Sequence, residues 1–350
     1  MHLLVIRTSA MGDVALATPV IRGFRSQYPD VKITLVTRPA FEQIFYSIKD
    51  IDLFFPDFKK RHSGFFGIIR LYLDLKRKGR IERVIDLHDV LRTKILRLFF
   101  RMTRIPCDVI DKGRRDKREI IKGRSRIRLK HSVERYCDVF LKAGYPVIPA
   151  DLPCILSSRE ALAELAGLPF RTGEFNIGVA PYTRHTIKTW PEERIIELLT
   201  LIAAERNIKV WFFGGYDEKE KLEKFASQFP GSYVITGKMS FAGELALMGR
   251  LDIMISMDSS NMHMAALVGT RVISIWGATD PLSGFSAWQQ PDDYAIRIPV
   301  EELTCRPCTV YGKGKCRRGD LACMMWLTPE IVFERIVKIG LFDNSPFEGG

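Results

Sequence analysis

Short apolar runs alternate along this chain with longer stretches whose apolar residues recur every three or four positions. Leu3–Ile6 is an unbroken apolar run, the pattern of a strand buried on both faces. A small-residue turn, Ser9-Ala10-Met11-Gly12, follows it, and helical spacing begins at Asp13. Val31–Val36 and Ile51–Phe55 read as two further strands, the second stopped by Pro56. Phe65–Lys78 has the spacing of an amphipathic helix, Arg83–Asp86 of a strand and Val90–Met102 of a helix. Residues 104–130 break the rhythm before His131–Ala143 restores a helix. Prolines at 146, 149 and 153 precede a helix-like run, Arg159–Ala166, and Gly167–Gly173 reads as a hinge.

The pattern then restarts. Strands are predicted at Asn176–Ala180, Lys209–Phe213, Tyr233–Ile235, Asp252–Ser256 and Arg271–Trp276. Helices are predicted at Pro191–Arg206, Glu218–Gln228, Phe241–Gly249 and Ser260–Val268. Short strands alternating with helices indicate an α/β fold of parallel sheets built from β-α-β units. The restart divides it into two Rossmann-like domains, residues 1–168 and 174–340, with 341–350 as a tail. Such a pair is expected to bind its ligand in the cleft, at the carboxyl ends of the strands.

A length of 350 residues suits two domains, and 46% hydrophobic with 27% charged residues suits a globular chain rather than a disordered one. No apolar run reaches the ~18 residues that span a bilayer, and the first residues carry neither a basic leader nor a cleavage site. A cytoplasmic protein is therefore expected. The net charge is +12, and residues 1–150 hold 32 Lys and Arg against 16 Asp and Glu, so the whole excess lies in the first half. Ten of the nineteen residues from Lys112 to Lys130 are Lys or Arg. An anionic partner for that half is one reading and a solvated basic face the other.

Four segments could carry chemistry. Asp13 stands where a strand gives way to a helix, either capping free helix N–H groups or serving as a general base at the strand's carboxyl end. The loop Ala180–Pro191 contains Thr183 and Lys188, suited to phosphate oxygens, though an ordinary solvated loop has the same composition. Ser256–Gly269 places hydroxyl and amide residues at the start of a small-residue helix, a natural anion site; capping by Asp258 or Ser259 explains it equally. Gly214-Gly215 followed by an acid has the form of a ribose-binding turn.

Taken in order, these segments resemble glycosyltransferase family 9, the ADP-heptose:lipopolysaccharide heptosyltransferases of Gram-negative bacteria. The resemblance is carried by Arg7-Thr8-Ser9-Ala10-Met11-Gly12-Asp13-Val14, Lys188-Thr189-Trp190-Pro191-Glu192-Glu193, the run Asp258–Leu267 and Trp276-Gly277-Ala278-Thr279-Asp280-Pro281. It implies a GT-B fold, two Rossmann-like parallel-sheet domains facing a central cleft, with the acceptor on the first and the nucleotide-sugar on the second. It implies inverting, metal-independent transfer of heptose from ADP-heptose to a phosphorylated, Kdo-bearing lipid A acceptor.

Residue by residue, the resemblance makes Asp13 the base and Lys188 a catalytic cation on the departing diphosphate. It makes Thr183 a phosphate ligand, Glu218 the ribose ligand, and Asp258, Ser259, Ser260, Asn261 and His263 the remaining donor contacts. Ser260 departs from the glycine many members carry, and the Thr183–Lys188 loop is about one residue longer than their pattern. A different nucleotide-sugar or surface-polysaccharide acceptor is thus the alternative; a sugar-nucleotide epimerase and a basic nucleic-acid-binding protein are others. The basic run has few interleaved aromatics and no nucleic-acid module, so no nucleic-acid partner is expected.

Acceptor contacts are expected from Met11, Gly12, Lys59, Lys60, Arg61, Arg124 and Arg126, with the chain, a monomer, peripheral on the anionic cytoplasmic face of the inner membrane. The stretch Lys94–Arg101 reads as an interfacial segment or, preferably, as a core-packed helix with an exposed basic edge. Asp50-Ile51-Asp52 has the form of a metal-binding motif but precedes a strand, and reads as a loop. Cys305, Cys308, Cys316 and Cys323 have spacings that admit a structural zinc, a transient disulfide or free thiols. No cofactor is required by the implied reaction.

Overall fold

The computed structural model describes residues 1–342, which fall into two compact units. The first comprises residues 1–112 and 131–155. Its elements are β1 (His2–Ile6), α1 (Met11–Ala15), α2 (Thr18–Gln27), β2 (Lys32–Val36), α3 (Glu42–Phe45), β3 (Ile51–Phe54), α4 (Gly64–Arg77), β4 (Arg83–Asp86), α5 (Leu91–Met102) and β5 (Cys107–Val109). Helix α6 (Arg114–Ile121) belongs to the second unit, and α7 (Ser132–Lys142) returns to the first. The five strands form a parallel sheet in the order β3-β2-β1-β4-β5. Every residue of β1 is buried, as its unbroken apolar run requires in a sheet covered on both faces.

The second unit comprises residues 113–130 and the chain from Leu156 onward. It contains α8 (Arg159–Ala163), β6 (Phe175–Ala180), α9 (Glu192–Glu205), β7 (Ile208–Phe212), α10 (Lys219–Ala226), β8 (Tyr233–Val234), α11 (Phe241–Met248) and β9 (Ile253–Met257). After these come α12 (Ser260–Leu267), β10 (Arg271–Trp276), β11 (Ala295–Arg297), α13 (Ala322–Met325) and α14 (Pro329–Lys338). Its six-stranded sheet is parallel, in the order β11-β10-β9-β6-β7-β8. Numbered within the unit that order is 6-5-4-1-2-3, the doubly-wound order of dinucleotide-binding sheets. Its core is built on the buried Trp190, Phe212, Ile255 and Ile275, and that of the first unit on Leu4, Val84, Leu96 and Phe100.

The division departs from the expected hinge at residues 167–173, for a physical reason. Both Glu164 carboxylate oxygens are taken by Ser240, one by its N–H at 2.8 Å and the other by its hydroxyl at 2.5 Å, so α8 packs on α11 inside the second unit. The basic segment 113–130 moves for a similar reason. Leu129 N–H donates to the Leu282 carbonyl at 2.9 Å, and the Lys117 ammonium lies 5.0 Å from the centre of the Phe285 ring. Strands β5 and β11 and helices α3, α6, α13 and α14 are additions to the sequence reading. Asp52 proves to lie within β3 rather than in a loop, where it accepts from Thr34 Oγ1 at 3.2 Å and Lys78 Nζ at 3.2 Å.

Candidate active site

In a doubly-wound sheet the crevice opens where the strand order reverses. Here the first unit reverses between β1 and β4, and the second between β6 and β9. The loops that follow these four strands contain the central candidates of both units.

In the first unit, helix α1 starts at Met11, two residues before the expected start, and Ala10 is its cap. Asp13 is therefore not the capping residue. It sits in the first turn, reaches back to the Ala10 N–H at 3.4 Å, and keeps 45% of its side chain exposed. Its carboxylate is held by Arg7 at 2.5 Å, a guanidinium only 5% exposed. Arg7 is in turn anchored on the Leu87 carbonyl after β4 and lies against the Tyr136 ring, 5.6 Å from its centre. Tyr136 donates its hydroxyl to the Asp13 carbonyl at 3.1 Å, and burial pushes its phenol well above the usual range. Met11 is half-buried and Gly12 buried beside them.

His88, also after β4, lies 3.0 Å from Thr8 Oγ1 through Nδ1 and 3.1 Å from Ser9 Oγ through Nε2. Burial, reinforced by the Arg7 and Lys112 charges, pushes its pKa down to about 3. A neutral imidazole donates through one nitrogen and accepts through the other, and hydroxyls can serve both. The turn before Asp13 is thus fixed by a ring that stays uncharged at neutral pH. Arg7, Tyr136 and His88 are missing from the candidate residues inferred from sequence. Only Arg7 lies within a quoted motif, and contacts spanning 79 to 129 positions leave no local spacing to read.

In the second unit, the loop after β6 is pinned by its apolar members. Ile187 and Trp190 are buried, and Trp190 Nε1 donates to the Leu327 carbonyl at 3.0 Å. Lys188 is left on the other side, where its ammonium donates to the Asp258 carbonyl at 2.6 Å and the Asp258 carboxylate at 3.1 Å. That carboxylate also accepts from Thr279 Oγ1 at 2.8 Å, which brings two of the sequence motifs together. Gly312 packs on the Lys188 stem so closely that a Cβ there would lie 2.6 Å from Lys188 Cδ.

Burial lowers the His185 pKa, and the charges of Lys188, Arg184 and Lys313 lower it further, so three cations act on one point. Ser259 caps α12 in position but makes no side-chain cap bond, its hydroxyl lying instead 3.1 Å from Ser256 Oγ. Ser260 and Asn261 open the helix half-buried, and His263 is buried one turn further in. Free N–H groups at a helix start beside a lysine form an anion site.

Other candidates are placed less suggestively. Thr183 Oγ1 donates to the His185 carbonyl at 2.7 Å, within its own loop. Glu218 folds back to accept from the Gly215 N–H at 2.7 Å. Arg61 is paired with Asp74 at 2.7 Å, while the backbone N–H groups of Lys59 and Lys60 donate to Asp57. Arg124 faces Glu119 at 3.6 Å, and Arg126 donates to the Arg306 carbonyl at 3.3 Å. Because segment 113–130 belongs to the second unit, Arg124 and Arg126 do not share a unit with Lys59, Lys60 and Arg61, although the sequence reading places all five in the one domain 1–168.

The four clustered cysteines line one cavity of about 20 Å³. Burial pushes the thiol of Cys308 up and that of Cys323 to about 11, so these are protonated side chains. Among the described residues no group of three or more His, Cys, Asp or Glu is arranged to hold a metal ion.

Comparison with known proteins bears on the family and the fold. The family model of glycosyltransferase family 9 (heptosyltransferase) matches residues 69–312. Lipopolysaccharide heptosyltransferase 1 of Escherichia coli is 25% identical over 87% of this chain and 94% of its own length. The lipopolysaccharide core heptosyltransferase OpsX of Haemophilus influenzae is 26% identical over 97% of each chain. The solved structure of E. coli heptosyltransferase WaaC with ADP-2-deoxy-2-fluoro heptose superposes with a TM-score of 0.65 at 22% identity, covering 97% of this chain and 100% of that one. The fold is GT-B and the protein is an enzyme: this chain belongs to glycosyltransferase family 9, the heptosyltransferases.

Proposed function

We propose that this chain transfers heptose from ADP-heptose to a phosphorylated, lipid-linked saccharide of the lipopolysaccharide inner core, with inversion at the anomeric carbon. The observation that carries the reading is the ammonium of Lys188, held 3.1 Å from Asp258 beside the uncapped start of α12. The ADP-heptose donor is supported by the ligand named for the WaaC structure, and the acceptor class by the names of the two relatives.

The chemistry follows from where charge develops. The acceptor hydroxyl oxygen bonds to the anomeric carbon as the bond from that carbon to the diphosphate oxygen breaks. The hydroxyl proton passes to the Asp13 carboxylate, and the electron pair leaves with ADP. The sugar is oxocarbenium-like at the crossing point, as in glycoside hydrolysis. Negative charge grows on the diphosphate, where Lys188, held on Asp258, and the first N–H groups of α12 are already placed and need little reorganisation. Arg7 fixes the Asp13 carboxylate through one oxygen, and the partial exposure of that side chain leaves it accessible to a hydroxyl. Thr183, Glu218, Ser260, Asn261 and His263 complete the donor contacts in this reading, and the thiols take no part in transfer. No divalent ion is needed.

The lipid-linked acceptor also makes the enzyme peripheral on the inner membrane's cytoplasmic face. Among the described residues no helix is long and apolar enough to cross a membrane.

The test is calorimetric titration with ADP, UDP and GDP. Binding of ADP in preference to the other two, weakened roughly tenfold or more by Lys188→Ala, is the expected result, since a charge-assisted contact is worth about 1.5–3 kcal/mol. Preference for UDP or GDP would move the donor to another nucleotide-sugar, and an unchanged affinity in Lys188→Ala would remove that lysine from the diphosphate site.

A further inference from the structure

We propose that the outer face of helices α4 and α5 in the first unit is the surface on which this chain sits on an anionic lipid bilayer. The proposal rests on the peripheral location argued above and names the residues that make the contact. Both helices turn apolar faces into the core, through Ile68, Leu71 and Leu75 on α4 and Leu96 and Phe100 on α5. That agrees with the core-packed reading of α5 but leaves its opposite face unexplained. Phe65, Phe66, Leu73, Leu91, Leu98 and Met102 are all exposed, with Phe66, Leu91 and Met102 at 74%, 75% and 72%. The rings of Phe65 and Phe66 are 5.9 Å apart and Phe65 reaches Phe99 of α5 at 6.2 Å, so a ridge of aromatic rings bridges the two helices. Scattered apolar residues are ordinary on a surface; a ridge of large ones marks an interaction site.

Charge selects the occupant. The two helices carry seven Lys and Arg, of which the buried Arg97 turns inward to Asp86 at 2.9 Å and Asp89 at 3.2 Å, and a single carboxylate, Asp74, which is taken up by Arg61 at 2.7 Å, His62 at 3.0 Å and Arg77 at 3.1 Å. Cations and apolar residues also alternate along the same stripe: Phe66, Arg70, Leu73, Arg77 on α4 and Leu91, Lys94, Leu98, Arg101 on α5. The core of a protein–protein interface is depleted of charge, and such interleaving would bury the charged heads of Arg70, Lys94 and Arg101 there. A headgroup layer accepts both kinds at once. Apolar side chains enter the acyl boundary while Lys and Arg extend to lipid phosphates.

The experiment is co-sedimentation of the full chain with vesicles of phosphatidylethanolamine and phosphatidylglycerol, against vesicles of phosphatidylcholine, at about 0.05 and 0.5 M salt. Wild type is expected to bind the anionic vesicles at least about tenfold more tightly, with most of that preference lost at high salt. F65S/F66S should weaken binding about tenfold at both salt levels, and K94E/R101E should weaken it on anionic vesicles alone. Thermal melts and ADP affinity should match wild type in both variants. Failure of the wild type to bind anionic vesicles overturns the proposal. So does wild-type binding in both double variants, or a dimer that F65S/F66S dissociates while vesicle binding persists. The two readings separate cleanly: a chain that binds vesicles but not ADP keeps this surface and loses the donor site.

Discussion

Asp13 keeps a definite position because of groups far away in sequence. Arg7 is nearly enclosed and is satisfied by Asp13 on one side and the Leu87 carbonyl on the other, so removing the aspartate's charge leaves a buried cation short of its partner. Asparagine removes the charge but keeps an oxygen that can accept from Arg7, so Asp13→Asn disturbs the fold less than truncation does and is the informative substitution. His88 makes its own pH-dependent contribution. It is neutral in the fold, with a pKa of about 3, whereas the unfolded chain takes up a proton near pH 6.5. Its contribution to stability is thus complete above pH 6.5 and declines as the pH falls toward 3, by up to about 1.4 kcal/mol per pH unit. Urea titrations at pH 6.5 and 5 should show a steeper loss for wild type than for His88→Gln. Parallel losses would mean that His88 is not protected from protonation.

At the level of elements, positions predicted from sequence depended on apolar runs. β1 declared itself by the unbroken run Leu3–Ile6, and β2 and β4 by shorter apolar cores, Leu35-Val36 with Ile33 and Val84-Ile85, set between helical stretches. The three-residue β11 and the short, highly charged α6 have no such run: α6 holds Arg114-Arg115-Asp116-Lys117-Arg118-Glu119 and buries only Lys117 and Ile120. The residue types of the loop near Lys188 suggested phosphate contacts, but its contact with Gly312 was not legible, since 124 positions separate them. Gly312 has φ +78°, a conformation that costs an L side chain about 1–2 kcal/mol, and an added Cβ would press on the lysine stem. Gly312→Ala should accordingly weaken ADP binding by roughly tenfold with a small change in melting temperature. An unchanged ADP affinity would show that the loop does not set the position of the ammonium.

For the whole molecule, two parallel sheets of doubly-wound order were readable because each restarts the same β-α-β rhythm. The exchange of residues 113–130 into the second unit was not, because the Leu129–Leu282 and Arg126–Arg306 hydrogen bonds join positions 153 and 180 apart. The same limit explains the candidate site. Asp13, Lys188 and Asp258 were nominated from motif and strand end, while the groups that hold them are supplied by topology. The central claim is a division of labour, with the first unit supplying the base and the second the grip on the leaving group. It is tested most directly by measuring turnover and ADP affinity together in Asp13→Asn. The account predicts a loss of turnover of about 10²–10⁴-fold with the dissociation constant of ADP within about twofold of wild type. Turnover near the wild-type rate, or a parallel collapse of ADP binding, would contradict it.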